Sequence, residues 1–161
     1  MRNFILLFLT ALFVGCASPG VQVTTDDEKS QAIKAAYDGY LVNDFTASNE
    51  LYSEETAIYI NSVETISNEE NLAAFSSHHD FYSDISMSRT YIQTSAYDND
   101  LGTWTHAWFV WTGTGKASGN TFEVPCHVAY QWGDDGKIAQ TWFFSDQSNH
   151  LNELAAAGVE L

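Results

Sequence analysis

Asp146 is the carboxylate in this sequence that is best placed to do chemistry, because it ends an aromatic segment. Counting by two along KIAQTWFFSD puts Ile138, Gln140, Trp142, Phe144 and Asp146 on one strand face. That face is mostly apolar, so we expect it to point inward, where desolvation would raise the pKa of the carboxyl group. Such an aspartate can act as a general base or a proton donor. Asp146 also precedes a predicted helix, which it could simply cap, and both interpretations stay open.

His106 is the second candidate for acid–base chemistry. In TWTHAWFVW it shares a strand face with Trp104, Trp108 and Val110. A histidine among aromatic residues is either a pocket acid–base group or a core or interface residue, and the second interpretation is favoured. His127 lies opposite an apolar series on a later segment, so we expect it to face outward.

The remaining histidines do not predict a metal site. His78 and His79 are adjacent in SSHHDF, and adjacent residues on a helix point about 100° apart, so they cannot easily bind one ion. A solvated helix end is the favoured interpretation. His150 lies on the last predicted helix, where we expect it to be exposed. The sequence therefore predicts neither a metal nor another cofactor.

Aromatic side chains from several segments could converge on one cavity. The candidates are Tyr40 on the first helix, Tyr59 on the first strand, and Trp108, Trp142 and Phe144 on the sheet. A pocket with aromatic walls and few polar groups suits a small, largely apolar or aromatic ligand. No basic residue is evident there, which disfavours an anionic substrate. The alternative is that these side chains only fill the core.

The N-terminal residues 1–15 predict a signal peptide. Arg2 is followed by FILLFLTALFV, and eleven residues at ~1.5 Å each are too short for a bilayer core of ~30 Å. LFVGCAS resembles a bacterial lipobox, which implies that Cys16 is lipidated and anchors an exported protein to a membrane, on its periplasmic or cell-surface side. Residues 16–27 then form a lipidated, flexible tether, and residues 28–161 a single domain.

The charge of the chain excludes some partners. Six Lys and Arg residues against 21 Asp and Glu give a formal net charge of −15. A surface so acidic repels nucleic acid and anionic lipid headgroups, so any membrane contact would be made by the lipid anchor alone. Cys126 lies in an apolar alternation and is predicted to be a small buried core residue.

Residue patterns place helices before strands along the chain. A capping box of Thr25 and Glu28 predicts a first helix of about 18 residues, and a second box of Ser67 and Glu70 opens a later helix. Between them, DFTASNELYSEE predicts a short helix and TAIYIN a strand. Four aromatic, β-branched segments separated by turns then predict an antiparallel meander, followed by a helix that ends at Gly158. This order favours an α+β fold.

Three motifs in this order resemble the nuclear transport factor 2-like, or SnoaL-like, domains. They are NDFTASNELYSEETAIYIN, WTGTGKASG and DGKIAQTWFFSDQSNHLNELAAAG, and the resemblance covers about residues 28–158. It implies a cone-shaped, curved antiparallel sheet wrapped around a long N-terminal helix, with a deep pocket at the wide end. Similar enzymes, such as ketosteroid isomerase and SnoaL-type polyketide cyclases, use pocket carboxylates, a role that would fall to Asp146.

The outer sheet face is commonly a dimer interface in this group, which implies a homodimer. We expect Phe109 and Trp111 on that outer face.

Two functions from different classes are compatible with these patterns. The first is a membrane-anchored domain that binds a small, largely apolar molecule without catalysis. The second is an isomerase, cyclase or dehydratase with Asp146 as its base and His106 as a partner. The aromatic strands contain no clear second carboxylate and no arginine, which favours binding, since the fold itself does not choose between the two.

We expect the substitution Cys16→Ser to move the protein from the membrane fraction to the soluble fraction. The reason is that acyl chains on Cys16 would supply the anchor, at ~0.8 kcal/mol per buried CH₂ group. Immunoblots of fractionated cells measure the distribution. Cys126→Ser is the matched control, because it removes the other cysteine and leaves Cys16. A Cys16 variant that stays membrane-bound to the same extent as the wild type would contradict the lipoprotein prediction.

Overall fold

A computed structural model describes residues 20–160; Cys16, the signal peptide and the start of the tether lie outside the described residues. The elements are β1 (Gln22–Thr24), α1 (Glu28–Leu41), α2 (Thr46–Leu51), β2 (Ala57–Ile60), β3 (Thr65–Ile66), α3 (Asn68–Phe81), β4 (Tyr82–Ala96), β5 (Thr103–Gly115), β6 (Thr121–Trp132), β7 (Ile138–Ser145) and α4 (Ser148–Ala156). No helix in this part of the chain is long and apolar enough to cross a membrane.

The first helix begins later than the sequence pattern predicts. Its N-cap is Asp27, whose carboxylate accepts hydrogen bonds from the backbone N–H groups of Lys29 (2.9 Å) and Ser30 (3.2 Å). The side chain of Ser30 in turn accepts from the backbone N–H of Asp27, which completes the capping box. The prediction of Thr25 as the cap is therefore wrong, and α1 has 14 residues. The capping box of Ser67 and Glu70 is confirmed at the start of α3.

Part of the predicted tether is a strand. Residues 22–24 form β1, which pairs antiparallel with the end of β4, with Gln22 opposite Ala96 and Thr24 opposite Thr94. All three residues of β1 are exposed. Because β1 buries neither face, its sequence carries no apolar alternation, and this is why the pattern did not reveal it.

Seven strands form one sheet in the order β1-β4-β5-β6-β7-β2-β3. The four long strands β4 to β7 are the predicted antiparallel meander, and the parallel pair is β2 with β7. Two bulges interrupt β4, one between Ser83 and Ser86 and one between Ser88 and Tyr91, each adding one residue relative to β5. A bulge bends its strand and increases the local twist, so this side of the sheet curls.

The concave face of the curled sheet holds α1. Ile33 of α1 is 1% exposed, and the ring of Tyr37 meets Phe109 edge-on at 5.1 Å. The hydroxyl oxygens of Tyr37 and Tyr130 lie 2.9 Å apart. The α+β cone with a sheet wrapped around the N-terminal helix is thus confirmed. The buried core cluster runs from Ile33 to Ile138, so a fragment that starts at residue 20 contains its own core.

The two faces of β5 are the reverse of those expected. Phe109 and Trp111 lie inside the cone, 5% and 9% exposed, and Trp108 lies on the outer face at 38% exposed. The inner face also carries Thr105 and Ala107, both 0% exposed, whose small side chains let the helix layer approach the sheet. The prediction that Phe109 and Trp111 face outward is wrong, since aromatic residues on both faces make the alternation uninformative.

A bulge in β7 explains why Trp142 and Phe144 were assigned to the wrong face. Gln131 pairs with Gln140, and the next residue, Trp132, pairs with Ile138, so β7 holds one extra residue there. A one-residue shift moves every following side chain to the other face. Ile138 points inward at 0% exposed, whereas Phe144 lies on the outer face at 47% exposed.

A buried carboxylate attaches α4 to the turn between β5 and β6. Glu153 is 1% exposed, and its Oε1 accepts hydrogen bonds from the backbone N–H groups of Ala117 (2.7 Å) and Ser118 (3.3 Å). Gly115 leaves room for this carboxylate, because a Cβ atom at that position would overlap both carboxylate oxygens. The hydrogen bond to Ser118 lowers the pKa of Glu153. This contact therefore holds α4 against the turn between β5 and β6.

We expect Glu153→Ala to lower the free energy of unfolding by about 1–3 kcal/mol, because two backbone donors lose their acceptor. Glu153→Gln is the matched control, since its amide oxygen can still accept both bonds, and it should lose less. The lowered pKa means that the carboxylate stabilises the fold above its unfolded pKa of about 4.3 and that this contribution is lost as the pH falls through the folded value. Urea unfolding at pH 7 of a fragment starting at residue 20 measures the effect, and equal stability of Glu153→Ala and the wild type would contradict it.

Candidate functional site

A cavity of about 220 Å³ lies inside the cone, between the helices and the inner sheet face. Most of its wall is apolar and comes from every layer of the fold. Side chains that form this apolar wall include Ile33, Phe45, Leu72, Phe75, Met87, Phe109, Phe122, Val128 and Phe143. Cavities with this lining bind small molecules that bury most of their own apolar surface.

The hydroxyl group of Tyr40 joins three elements at one end of this cavity. The indole N–H of Trp111 on β5 donates a hydrogen bond to the Tyr40 oxygen at 2.8 Å. Nδ1 of His78 on α3 lies 2.9 Å from the same oxygen. Burial raises the pKa of Tyr40, so its hydroxyl group keeps its proton. Since an indole N–H can only donate, the hydroxyl hydrogen is free to be donated to His78.

Gly113 makes this arrangement possible. The indole ring of Trp111 lies over Gly113, and a Cβ atom at that position would overlap the ring. The missing side chain lets Trp111 lie against its own strand and direct its N–H toward α1. The WTG segment, which the sequence assigns to a hairpin, therefore positions the donor of the Tyr40 hydrogen bond.

His78 is a buried, neutral imidazole. Burial lowers its pKa from 6.5 to about 3, with smaller contributions from His150 and His79. With Nδ1 accepting from the Tyr40 hydroxyl, the ring proton is on Nε2, which makes no hydrogen bond to any residue between 20 and 160. His78 lines the cavity, so this arrangement offers one N–H donor to a molecule bound there.

His150 extends the polar end of the cavity. Its Nδ1 lies 3.0 Å from the hydroxyl oxygen of Tyr82, and its ring centroid lies 5.1 Å from that of His78. Burial lowers the pKa of His150 and raises that of Tyr82, the latter to about 12. Two neutral imidazoles therefore stand side by side at one end of a mostly apolar cavity.

Sequence reasoning missed this pair of histidines. The expectation that His78 and His79 form a solvated helix end is wrong, and so is the expectation that His150 is exposed. His79 also turns inward, with its Nε2 2.8 Å from the backbone oxygen of Tyr40. A signal was present for His78, because Asn71, Phe75 and His78 follow the i, i+4, i+7 spacing of a buried helix face.

Asp146 lies at the rim of the cavity and is exposed to solvent. Its Oδ1 accepts a hydrogen bond from the backbone N–H of Ser148 at 2.9 Å, at the start of α4. The hydrogen bonding to Ser148 lowers the pKa of Asp146. The expectation of a raised pKa is therefore wrong. The carboxylate of Asp146 accepts from the first residue of α4, while the N-cap residue itself is Gln147, whose side chain makes no capping hydrogen bond.

Of the five ligand-binding residues suggested by the sequence, the structure places Tyr40 in the cavity. Tyr59, Trp108, Trp142 and Phe144 lie instead on the outer sheet face, so their assignment to the cavity wall is wrong. Tyr59 on β2 and Trp142 on β7 stack there with ring centroids 3.9 Å apart. The extra residue in β7 explains why Trp142 and Phe144 lie on the opposite face from the one predicted.

His106 also lies on the outer face and not with Asp146. Its Nδ1 is 3.2 Å from Nε2 of His127, which faces outward as predicted. Burial lowers the pKa of both imidazoles, and for His106 the neighbouring His127 lowers it further. The proposed pairing of Asp146 with His106 in one cavity is therefore not observed.

The described residues contain no group of three or more His, Cys, Asp or Glu side chains that could hold a metal ion. Cys126 has a free, buried thiol, as predicted. Burial raises the pKa of this thiol to about 11, so it stays protonated near neutral pH and is a poor nucleophile.

No protein-family model matches the chain, and no curated protein matches it either. Several solved structures share its fold. A proposed polyketide cyclase from Xanthomonas campestris aligns with a TM-score of 0.60 and 16% identity over 78% of this chain and 95% of its own. A proposed isomerase from Bacillus subtilis aligns with a TM-score of 0.58 and 14% identity over 81% and 93%. A protein from Catenulispora acidiphila with a ketosteroid isomerase-like fold, in complex with trimethylamine, aligns at 0.52 and 13% over 81% and 94%.

The chain has the SnoaL-like, ketosteroid isomerase-like fold. Identities this low establish the shared fold, and what each of these proteins binds or converts remains a property of that protein. The resemblance noted in the sequence is thus confirmed at the level of the fold.

We expect His78→Gln to weaken the pH dependence of stability. The folded pKa of about 3 lies below the unfolded value of 6.5, so the unfolded chain binds a proton first and the free energy of unfolding falls as the pH drops below 6.5. Glutamine keeps an acceptor for the Tyr40 hydroxyl but does not titrate. Between pH 7 and pH 4.5 the variant should lose roughly 2–3 kcal/mol less than the wild type. Urea unfolding at the two pH values measures this, and equal losses would contradict the neutral, buried state of His78.

Proposed function

We propose that this domain binds a small, neutral, largely apolar molecule inside the cone. The observation that carries the proposal is the cavity itself, with apolar walls and with its polar end formed by His78, His150, Tyr40 and Tyr82. The space of about 220 Å³ is far more than the 10–15 Å³ that one water molecule needs. A compact aromatic or alicyclic molecule fits this size and lining.

The polar end favours a ligand that carries a hydrogen-bond acceptor. With the ring proton on Nε2, His78 donates a hydrogen bond to a molecule in the cavity. A carbonyl, ether or hydroxyl oxygen on an otherwise apolar ligand would satisfy that donor, which is costly to leave unpaired in an apolar site. The ligand class we infer is therefore a neutral molecule with one such oxygen at one end.

Charge disfavours anionic ligands. Among the described residues, no lysine or arginine lines the cavity, while Asp146 stands ionised at its rim. The whole chain carries a formal net charge of −15, which repels anions at longer range. An anion would meet repulsion on approach and no cation inside.

Catalysis by an isomerase, cyclase or dehydratase mechanism is the second candidate. It is favoured by two neutral imidazoles in a largely apolar cavity, and by the shared fold with a proposed polyketide cyclase and a proposed isomerase. General-base catalysis works best when the pKa of the base lies near the working pH. The pKa of about 3 for His78 and the lowered pKa of Asp146 make both groups weak bases, so binding without turnover is preferred.

The setting we propose is an exported protein anchored to a membrane through lipidated Cys16. We also propose a homodimer in which two copies meet through the outer sheet face, now defined by Trp108, His127 and Phe144. Large aromatic side chains that are exposed together on one face of a domain are typical of protein interfaces. No nucleic acid is proposed as a partner, because of the acidic charge.

We expect Leu72→Trp to abolish uptake of the neutral fluorescent probe N-phenyl-1-naphthylamine. Leu72 lines the cavity from α3, and an indole there would occupy much of the free space. Leu151→Trp is the matched control, because it makes the same change on an exposed position of α4, where Leu151 is 46% exposed. Fluorescence titration of a fragment starting at residue 20 measures the dissociation constant, and thermal unfolding checks that both variants are folded.

Two outcomes of that titration count against binding in the cavity. One is a wild-type fragment that gives no saturable fluorescence increase. The other is equal probe affinity in Leu72→Trp and Leu151→Trp, which would place the probe elsewhere. Mass spectrometry of an oxygen-bearing ligand recovered from the protein separates the two candidate functions, since a binding domain returns it unchanged.

A further inference from the structure

Eight aromatic rings cover the middle of the outer sheet face. We call this set the outer aromatic layer; it consists of Tyr59, Tyr91, Trp104, His106, Trp108, His127, Trp142 and Phe144. Neighbouring ring centroids lie between 3.9 and 6.4 Å apart. Three of the rings remain well exposed, with Tyr91 at 50%, Trp108 at 38% and Phe144 at 47%.

The distribution of charge favours the outer aromatic layer as the surface through which two copies associate. Asp and Glu outnumber Lys and Arg by 21 to six, so two copies repel each other over most of their surface. Within residues 20–160, the residues that pair across the strands with members of the layer carry no charge, and their polar neighbours are Gln93, Gln131 and Gln140; the charged side chains on this part of the sheet are Arg89 in a bulge of β4 and Glu123 further along β6. The proposed dimer therefore needs this face, and the inference below rests on that dimer.

His106 and His127 form a hydrogen-bonded pair near the middle of the layer. Their rings are inclined by only 7°, and Nδ1 of His106 lies 3.2 Å from Nε2 of His127. At this distance one nitrogen donates its hydrogen and the other accepts. Trp108 packs beside His127 at 4.9 Å and Phe144 at 6.2 Å, so apolar rings surround the pair.

Protonation changes this pair in two steps. One added proton leaves an N–H···N bond but places a positive charge among apolar rings. A second proton turns both nitrogens into donors that face each other, which breaks the bond and sets two like charges side by side. In the free chain, water solvates those charges. Between two copies it could not, so a charged pair disfavours association.

We propose that the His106–His127 pair makes the dimer acid-sensitive, so that two copies associate through the outer aromatic layer when the pair is neutral and separate when it is protonated. The lowered pKa of both imidazoles in the single chain supports this, because they are neutral at pH 7.5. Other titratable or charged groups on this face are Tyr91 on β4, Glu123 on β6 and Tyr59 on β2, and Arg89 lies in the bulge of β4 between Ser88 and Tyr91. On β7 the same face carries Gln140, Trp142 and Phe144, which do not titrate.

Acid acts on dimer affinity in opposite directions through the His106–His127 pair and through the net charge of the whole molecule. Acid reduces the net negative charge by protonating carboxylates and other histidines, which should strengthen association between two acidic copies. The pair has the opposite effect. If each copy takes up one proton on separation, the dissociation constant rises by up to about 100-fold per pH unit below the pKa of the pair.

Sedimentation velocity of a fragment starting at residue 20, at pH 7.5 and pH 5.5, tests the inference. We expect a dimer at pH 7.5 and a dissociation constant at least about tenfold higher at pH 5.5. The double variant His106→Phe/His127→Phe keeps two aromatic rings and cannot titrate, so its dimer should persist or tighten at pH 5.5. Glu123→Gln is the control for the carboxylate on the same face and should respond to pH as the wild type does. Near-ultraviolet circular dichroism at both pH values checks that each protein stays folded.

The outcomes distinguish the dimer from its acid sensitivity. A wild-type fragment that is monomeric at pH 7.5 overturns the dimer and the inference with it, but leaves ligand binding in the cone untouched. A dimer of equal or higher affinity at pH 5.5 overturns the acid sensitivity alone. A double variant that dissociates at pH 5.5 as the wild type does overturns the assignment to His106 and His127.

Discussion

The hydrogen bonds at the Tyr40 hydroxyl group are the interaction on which the rest of the structure depends. They connect α1, α3 and β5, and α1 and α3 are joined a second time by the hydrogen bond between Nε2 of His79 and the backbone oxygen of Tyr40. The hydroxyl group accepts from Trp111 and donates to Nδ1 of His78, so both of its hydrogen-bonding roles are filled. A buried network that is fully satisfied gives a core one preferred arrangement. In this fold the network lies at one end of the cavity and fixes the positions of α1 and α3 relative to β5 there.

Much of the fold could be predicted from the sequence because its elements are long and strongly patterned. The four meander strands follow clear runs of aromatic and β-branched residues, and the Ser67 capping box marks the start of α3 in local sequence alone. The sequence predictions failed where a single residue changes which face a strand presents, or where an element is too short to show a pattern. A single extra residue in β7 reversed the facing of Trp142 and Phe144, and a short exposed strand such as β1 left no pattern to detect.

The candidate site was harder to predict because its members are polar residues brought together from distant segments. Tyr40 and His78 are 38 residues apart, and Tyr82 and His150 are 68 apart, so no local spacing indicates either pair. The sequence favours Asp146 as an acid–base group because carboxylates are common in that role. A carboxylate that follows the last strand is, however, well placed to accept from the backbone N–H groups of the next helix, and Ser148 provides one here. Inside the cavity the titratable side chains are therefore imidazoles and tyrosine hydroxyl groups, and the carboxylate of Asp146 lies at the rim.

The two faces of β5 show how one strand can serve two different environments. Inside the cone, Gly113 leaves space, so that Trp111 can turn its indole N–H toward Tyr40. Outside, large rings at alternate positions have no helix to pack against and therefore pack on one another across the strands. The inner face is specified by hydrogen bonds that admit one arrangement. The outer face is specified by aromatic rings that pack on one another, in a chain with a formal net charge of −15. Three of these rings stay well exposed, which is typical of a face that a second apolar surface covers.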